Sequence, residues 1–308
     1  MENELKSFDN QAIKAQVTEI LVKHGLDFTV AKVPMVGTFE GVEYPSAYLG
    51  LFNTKSKEFL NTVKKGYHVS QNSEVVELVV RAMRGFGELN VTKAGSLHGG
   101  RKTFIQLGVE GFGRVGNDVI KKYITILDSN DGSTGLSVGI GDITMSCSNQ
   151  FFRFYKRGEM KLRHSSNLEE KMIELPSLIR LALDESLKQI EVYNRFQGTN
   201  ASKELVDGLV RELLGVDRIS AKEGDFSTKT LNSMDSLYAH IATEVNGKGF
   251  NVWGLHSGVT SWTTHEKSHP KRENGAIESI MSGTNYRTNM ASFNFALGFV
   301  GASDFVLV

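Results

Sequence analysis

Residues 95–164 constrain the fold of this chain more than any other stretch. Apolar, β-branched runs at 103–109, 123–128, 136–142 and 143–147 have strand length, and the glycines between them argue against helix. Between the second and third runs lies Asn130-Asp131-Gly132-Ser133, residues that tolerate positive φ, and this predicts a hairpin turn. Gly139 and Gly141 predict a bend or bulge in the third run. Upstream, the spacing of Ala12, Ile13, Val17, Ile20 and Leu21 predicts a helix that opens near Asp9 and closes at Gly25. Strands are predicted at 28–33, 46–52 and 67–71, with a turn-rich hairpin or loop from Pro34 to Pro45. A helix is predicted from Asn72 or Ser73 to Gly85.

Beyond His164 the apolar period becomes helical. Helices are predicted at 167–197, broken or kinked by Pro176, at 200–214 with Gly215 as its stop, at 231–245 and at 252–265. Strands first and helices afterwards predict an α+β fold. It comprises a central, mainly antiparallel sheet, N-terminal helices, and a C-terminal helical part packed on the sheet. The expected organisation is a sheet-bearing part, 1–164, and a helical part, 165–308, packed as one unit.

Composition narrows the function classes. With 40% hydrophobic residues the chain can bury a sizeable core, and it contains no apolar run long enough to span a bilayer. The polar N-terminus carries no secretory pattern, so a cytoplasmic location is expected, that of the host if the chain is phage-encoded. Cys147 is the single cysteine, which excludes an internal disulfide or a multi-cysteine zinc site. Zero net charge argues against coating nucleic acid by bulk attraction. The distribution is uneven: residues 95–164 carry ten Lys/Arg against six Asp/Glu, and residues 165–250 carry ten against fourteen. A homo-oligomer is expected, basic face against acidic helices.

Four segments carry a resemblance. Gly95-Ser96-Leu97-His98-Gly99-Gly100-Arg101, Ser129-Asn130-Asp131-Gly132-Ser133, Cys147-Ser148-Asn149 with the later Arg163-His164, and Trp253-Gly254-Leu255-His256-Ser257-Gly258-Val259-Thr260 occur in this order. Together they resemble a phage- and plasmid-associated family defined by a domain of unknown function, over about residues 49–265. The family pattern has His where this chain has Asn130, and Asn where it has Ser257. The resemblance implies a setting of DNA transactions on mobile elements and supplies no settled chemistry.

Candidate chemistry falls into five places. Phe151, Phe152, Arg153, Phe154, Tyr155, Lys156, Arg157, Lys161, Arg163 and His164 alternate rings with cations, the pairing that single-stranded nucleic acid requires for stacking and phosphate neutralisation. His98-Gly99-Gly100-Arg101-Lys102 could bring backbone N–H groups and cations to a phosphate, and Lys121 and Lys122 would extend that surface. Asp128 and Asp131 could hold Mg²⁺ in a hydrolase, against the alternative of an Asx-stabilised turn. His256, His265 and His269 lack a metalloprotease pattern, and Cys147 lies among small residues with no base marked beside it. The leading expectation is a non-catalytic protein of a phage or mobile element that binds single-stranded DNA, in strand annealing or recombination. A metal-dependent nucleic-acid or nucleotide hydrolase and a structural or host-interaction protein are the alternatives.

Overall fold

The computed structural model describes residues 2–86, 89–154, 161–165, 167–168, 170, 173–216, 226–272 and 274–302. The fold is α+β, as the order of elements predicts. Helix α1 (Glu2–Lys23) leads into β1 (Val30–Phe39), β2 (Val42–Asn53) and β3 (Phe59–Lys64), then α2 (Asn72–Phe86). Strands β4 (Leu89–Leu97), β5 (Lys102–Val115), β6 (Asp118–Ser129), β7 (Leu136–Thr144), β8 (Gln150–Phe154) and β9 (Lys161–Leu162) follow. The described helices of the C-terminal half are α3 (Leu175–Gly198), α4 (Lys203–Leu214), α5 (Thr228–Lys248), α6 (Val252–His265), α7 (Gly275–Ser282) and α8 (Thr284–Phe299). Strands β1-β2-β3 form one antiparallel sheet, and β4-β5-β6-β7-β8 form a second, with β9 paired to β7.

The chain divides into two compact units that interleave along the sequence. The first takes residues 1–110, 123–139 and 154–183; the second takes 111–122, 140–153 and 184–308. Sequence composition alone suggests a cut at 164, because it registers the change of period and not the fact that β5, β6 and β7 each give residues to both units.

In the first unit, α1 packs on α2. Ile13, Val17, Ile20, Val76, Val79 and Val80 are all buried. The β1–β2 connection is a two-residue turn at Glu40 (φ 50°) and Gly41 (φ 80°), whose paired positive φ values match the twist of a hairpin. Of the two readings of Pro34 to Pro45, hairpin or loop, the structure takes the hairpin, with strand on both sides of the turn. Pro34 is tolerated because β1 is an edge strand. Residues 67–71 form no strand. Instead, the Gln71 side chain bonds both the N–H and the C=O of Val30, imitating a strand partner with an amide.

In the second unit, local signals place the helix ends. Ser202 accepts from Leu205 N, Ser227 from Thr230 N and Asn251 from Gly254 N, while Gly215 closes α4 at φ 69°. Pro176, in the part of α3 that belongs to the first unit, breaks the predicted helix rather than kinking it: residues 173–174 are turn, α3 begins at Leu175, and Pro176 is its second residue, where its missing N–H costs nothing. Residues 143–147 do not continue as a separate strand, because β7 ends at Thr144 and Ser148 turns back with φ 56° to bond Thr144 O. One core joins Val192, Tyr193, Phe196, Trp253 and Phe293, and another joins Leu209, Val210, Leu237, Ile241, Leu255 and Val259.

Helix α6 is buried on all sides over 252–263, and its glycines explain that. A Cβ on Gly258 would stand 2.5 Å from Ile241 Cα, and one on Gly254 would stand 2.7 Å from Gly249 O. Both fall on backbone, which cannot swing away, so α5 and α6 touch main chain to main chain. Gly258→Ala gains about 1 kcal/mol of helix propensity yet forces these helices apart at a cost of about 1–3 kcal/mol. The expected outcome is net destabilisation in a urea titration, whereas an exposed helical glycine, Gly247, should give a neutral or stabilised Ala variant.

Candidate nucleic-acid interface

The β1–β3 sheet has two unlike faces. One carries Leu51, Leu60 and Val63, all buried against the first unit. Alternation along β2 and its register with β1 and β3 place Val33, Phe39, Val42, Tyr44, Tyr48 and Phe59 on the other. These residues are between 42% and 66% exposed, unusual for a set containing four aromatics. Phe52 joins the same face, edge-on to Phe59 with centroids 5.4 Å apart. Gly50 keeps the surface flat, since a Cβ there would meet the Phe52 ring at 2.9 Å. Lys64 is the cross-strand partner of Tyr48, and Lys55, Lys57 and Lys65 are exposed at the ends of β3. No sequence pattern marked this face. The signal available was the same-face aromatic spacing Tyr44, Tyr48, Phe52, obscured by the two prolines around it.

The glycine turn and the Asp-Gly turn meet in the first unit. Asn130 donates its N–H to Arg101 O at 2.7 Å and its side-chain amide to Gly100 O at 2.9 Å. Gly99 (φ 66°) and Gly100 (φ 96°) need their backbone freedom, and added Cβ atoms would meet the Glu58 carboxylate at 2.5 Å and the Asn53 amide at 2.8 Å. A carboxylate beside Gly99 opposes a phosphate, so these glycines serve the join. Arg101 is exposed, Lys102 half-buried and Arg163 exposed, with Arg163 Cα close to Gly135 at the end of the Asp-Gly turn.

Asp128 and Asp131 do separate work. The Asp128 carboxylate is buried, accepts from Ser70 Oγ and from Ser129 N (2.9 Å), and lies 2.9 Å from Nε2 of the equally buried His164 imidazole. Nδ1 of His164 faces His68 O at 3.1 Å and therefore donates, while Tyr67 stacks on the ring at 5.0 Å. Burial, reinforced by Asp128 and Asp131, holds the Tyr67 hydroxyl well above its ordinary range, so it stays a donor to Ser129 O. Asp131 caps its own turn through Ser133 N at 2.9 Å, the Asx arrangement. Among the described residues no group of three or more His, Cys, Asp or Glu is arranged to hold a metal ion.

The aromatic-basic segment divides. Phe151 and Phe152 are core residues, and Arg153 is buried with its guanidinium 5.4 Å from the Phe293 ring. Tyr155, Lys156 and Arg157 lie outside the described residues, as do the side chains of Phe154 and Lys161. Lys122 is buried, bonds Ser186 O and faces Asp142; burial pulls its ammonium down to about 8. Burial also raises the Asp142 carboxyl, which accepts from Gln189 and from Tyr193 (2.9 Å). Lys122 and Arg153 thus serve the interior of the second unit, while Lys121 is half-buried.

A second carboxylate network gathers the remaining motifs. Asp118 accepts from Lys248 (2.7 Å), Trp253 Nε1 (2.7 Å) and Ser146 (2.9 Å). Glu244 accepts from Asn149, whose amide also reaches Ser257 O, and His265 bonds Cys147 O at 2.9 Å. Burial raises the Cys147 thiol, the reverse of an activated nucleophile. Nδ1 of His269 lies 3.1 Å from the O of its neighbour Pro270.

His256 sits among the rings of Phe151, Tyr193, Phe196, Trp253 and Phe293, and burial pushes its imidazole down to about 3. The unfolded chain binds this proton from about pH 6.5 downward and the folded chain does not. Stability should therefore fall as pH drops from about 6.5 toward 3, at up to about 1.4 kcal/mol per pH unit for this one group. In denaturant titrations at pH 7, 6, 5 and 4, His256→Phe should show a shallower slope than the parent chain.

A family model described as a domain of unknown function (DUF932) matches residues 59–290. No curated protein and no solved structure matches the chain. No described helix is long and apolar enough to cross a membrane.

Proposed function

From the premise that this chain belongs to the DUF932 family, we propose that it binds single-stranded DNA without bond chemistry, bases stacking on the open face of the β1–β3 sheet. The observation that carries the reading is the row of exposed Tyr48 and Phe59 with half-buried Phe52 between them, laid flat by Gly50 and flanked by Lys64. Bases stack on exposed rings regardless of sequence, and duplex DNA has no free base faces to offer them. Lys57, Lys64 and Lys65 would take phosphates, with Arg101, Lys102 and Arg163 as further exposed or half-exposed cations of the same unit. The site differs from the one expected at 151–164, because Phe151, Phe152 and Arg153 are interior groups. A role in strand annealing or recombination on a phage or plasmid is the setting this reading fits, and it rests on the motif resemblance.

Fluorescence anisotropy with a labelled oligo-dT tests the reading. Binding should be clear at about 50 mM salt and fall steeply as salt rises, with a log–log slope near −0.7 per phosphate contacted. Tyr48→Ala and Phe59→Ala should each cost about 1–3 kcal/mol, and Lys64→Ala should flatten the salt slope by roughly one contact. Binding that ignores salt, or that survives loss of both rings unchanged, removes this face as the site.

A further inference from the structure

The outer half of the β1–β2 hairpin has a different character from its base. Val36 (54% exposed), Phe39 (66%), Val42 (53%) and Tyr44 (53%) are bare on both faces of a two-stranded ribbon. Phe39–Val42 lie on one face and Val36–Pro45 on the other. Such a ribbon is marginal in water without a third layer or strand. Residues 33–47, the tip and outer half of the hairpin, hold no Lys or Arg, while Glu40 and Glu43 add negative charge. A phosphate backbone is repelled there, so the tip lies off the DNA track. The outer edge of β1 is also open: among the described residues only β2 pairs with it. Apart from Pro34, which has no N–H, that edge presents N–H and C=O groups that can template another strand.

We propose that this ribbon is a self-association arm, with β1 of one copy pairing antiparallel along β1 of a second copy of the chain. The charge pattern selects the register. A two-fold axis at Val36 puts Glu40 of each copy opposite Lys32 of the other and Phe39 opposite Val33, so both ends gain opposite charges and the centre is apolar. Other antiparallel registers of β1 lose that double match. Pairing along β1 covers chiefly Val33, Val36 and Phe39 of each copy, Val42 and Tyr44 lying one strand further away on β2, so the contact is on the order of 300 Å² per copy at about 100 Å² for each side chain. That falls short of the roughly 800 Å² per partner in a standard interface, so the pairing is weak and concentration-dependent. The arm stands independently of DNA binding.

Sedimentation velocity on the full chain, without DNA, tests it. The mass should rise from one chain toward two or more between about 1 and 200 µM. Val36→Glu places like charges together at the axis and should weaken association at least about tenfold. Its melting temperature should be unchanged, because the site is exposed. Glu40→Lys should weaken association likewise, and Lys32→Glu combined with Glu40→Lys should restore it. A chain that stays single at the highest concentration, a Val36→Glu variant that assembles as before, or a double swap that fails to restore assembly overturns the proposal.

Discussion

A carboxylate inside a protein is tolerable only when several donors surround it, and strand β6 buries two, Asp118 near its start and Asp128 near its end. Much of the surrounding structure is the answer to those two groups. Asp128 draws in Ser70, the Ser129 amide and His164, which fixes the ends of the Asp-Gly turn and the segment after β9. Asp118 draws in Lys248, Trp253 and Ser146, which fixes the end of α5, the start of α6 and the turn after β7. Burial pulls the Lys248 ammonium down, but its bond to Asp118 and the nearby Cys147 and Glu244 outweigh this, so it stays charged. Removing one donor would leave a buried negative charge, a far larger loss than the removal of a surface pair.

Three of the motif residues, His164, Asn149 and Trp253, join these networks. Arg163-His164 and the glycine turn serve the first unit; Asn149, Trp253 and the glycines of α6 serve the second. Asn130 shows the same logic. It bonds two consecutive carbonyls of the glycine turn, a task of geometry that an amide performs without titrating.

The helices of the second half were legible because caps and stops are local: Ser202, Asn251 and Gly215 announce their roles within a few residues. The α+β class was legible from the change of period. The interleaving of the two units was not, because strand pairing between distant residues leaves no local trace. The inward placement of Phe151, Phe152 and Arg153 was not legible for the same reason. Alternation at 151–154 reads identically whether rings point in or out, and Phe151, Phe152 and Arg153 point in. At β1–β3, prolines disguised a real strand pair, so the exposed rings became visible only once the register of β2 was known.

The separation between Asp118 and its partners bears on how the chain is made. Lys248 and Trp253 follow it by 130 and 135 residues. At about 5–20 residues per second, a ribosome delivers them roughly seven to thirty seconds after Asp118 has been synthesised. Until then the carboxylate must remain hydrated, and the second unit cannot close. The β1–β2 hairpin, by contrast, has its whole register within a span of 24 residues and can pair as soon as it leaves the exit tunnel. Nascent chains therefore pass through a stage in which the apolar ribbon is already presented while much of the interior is still wet, the stage at which chaperone capture matters most.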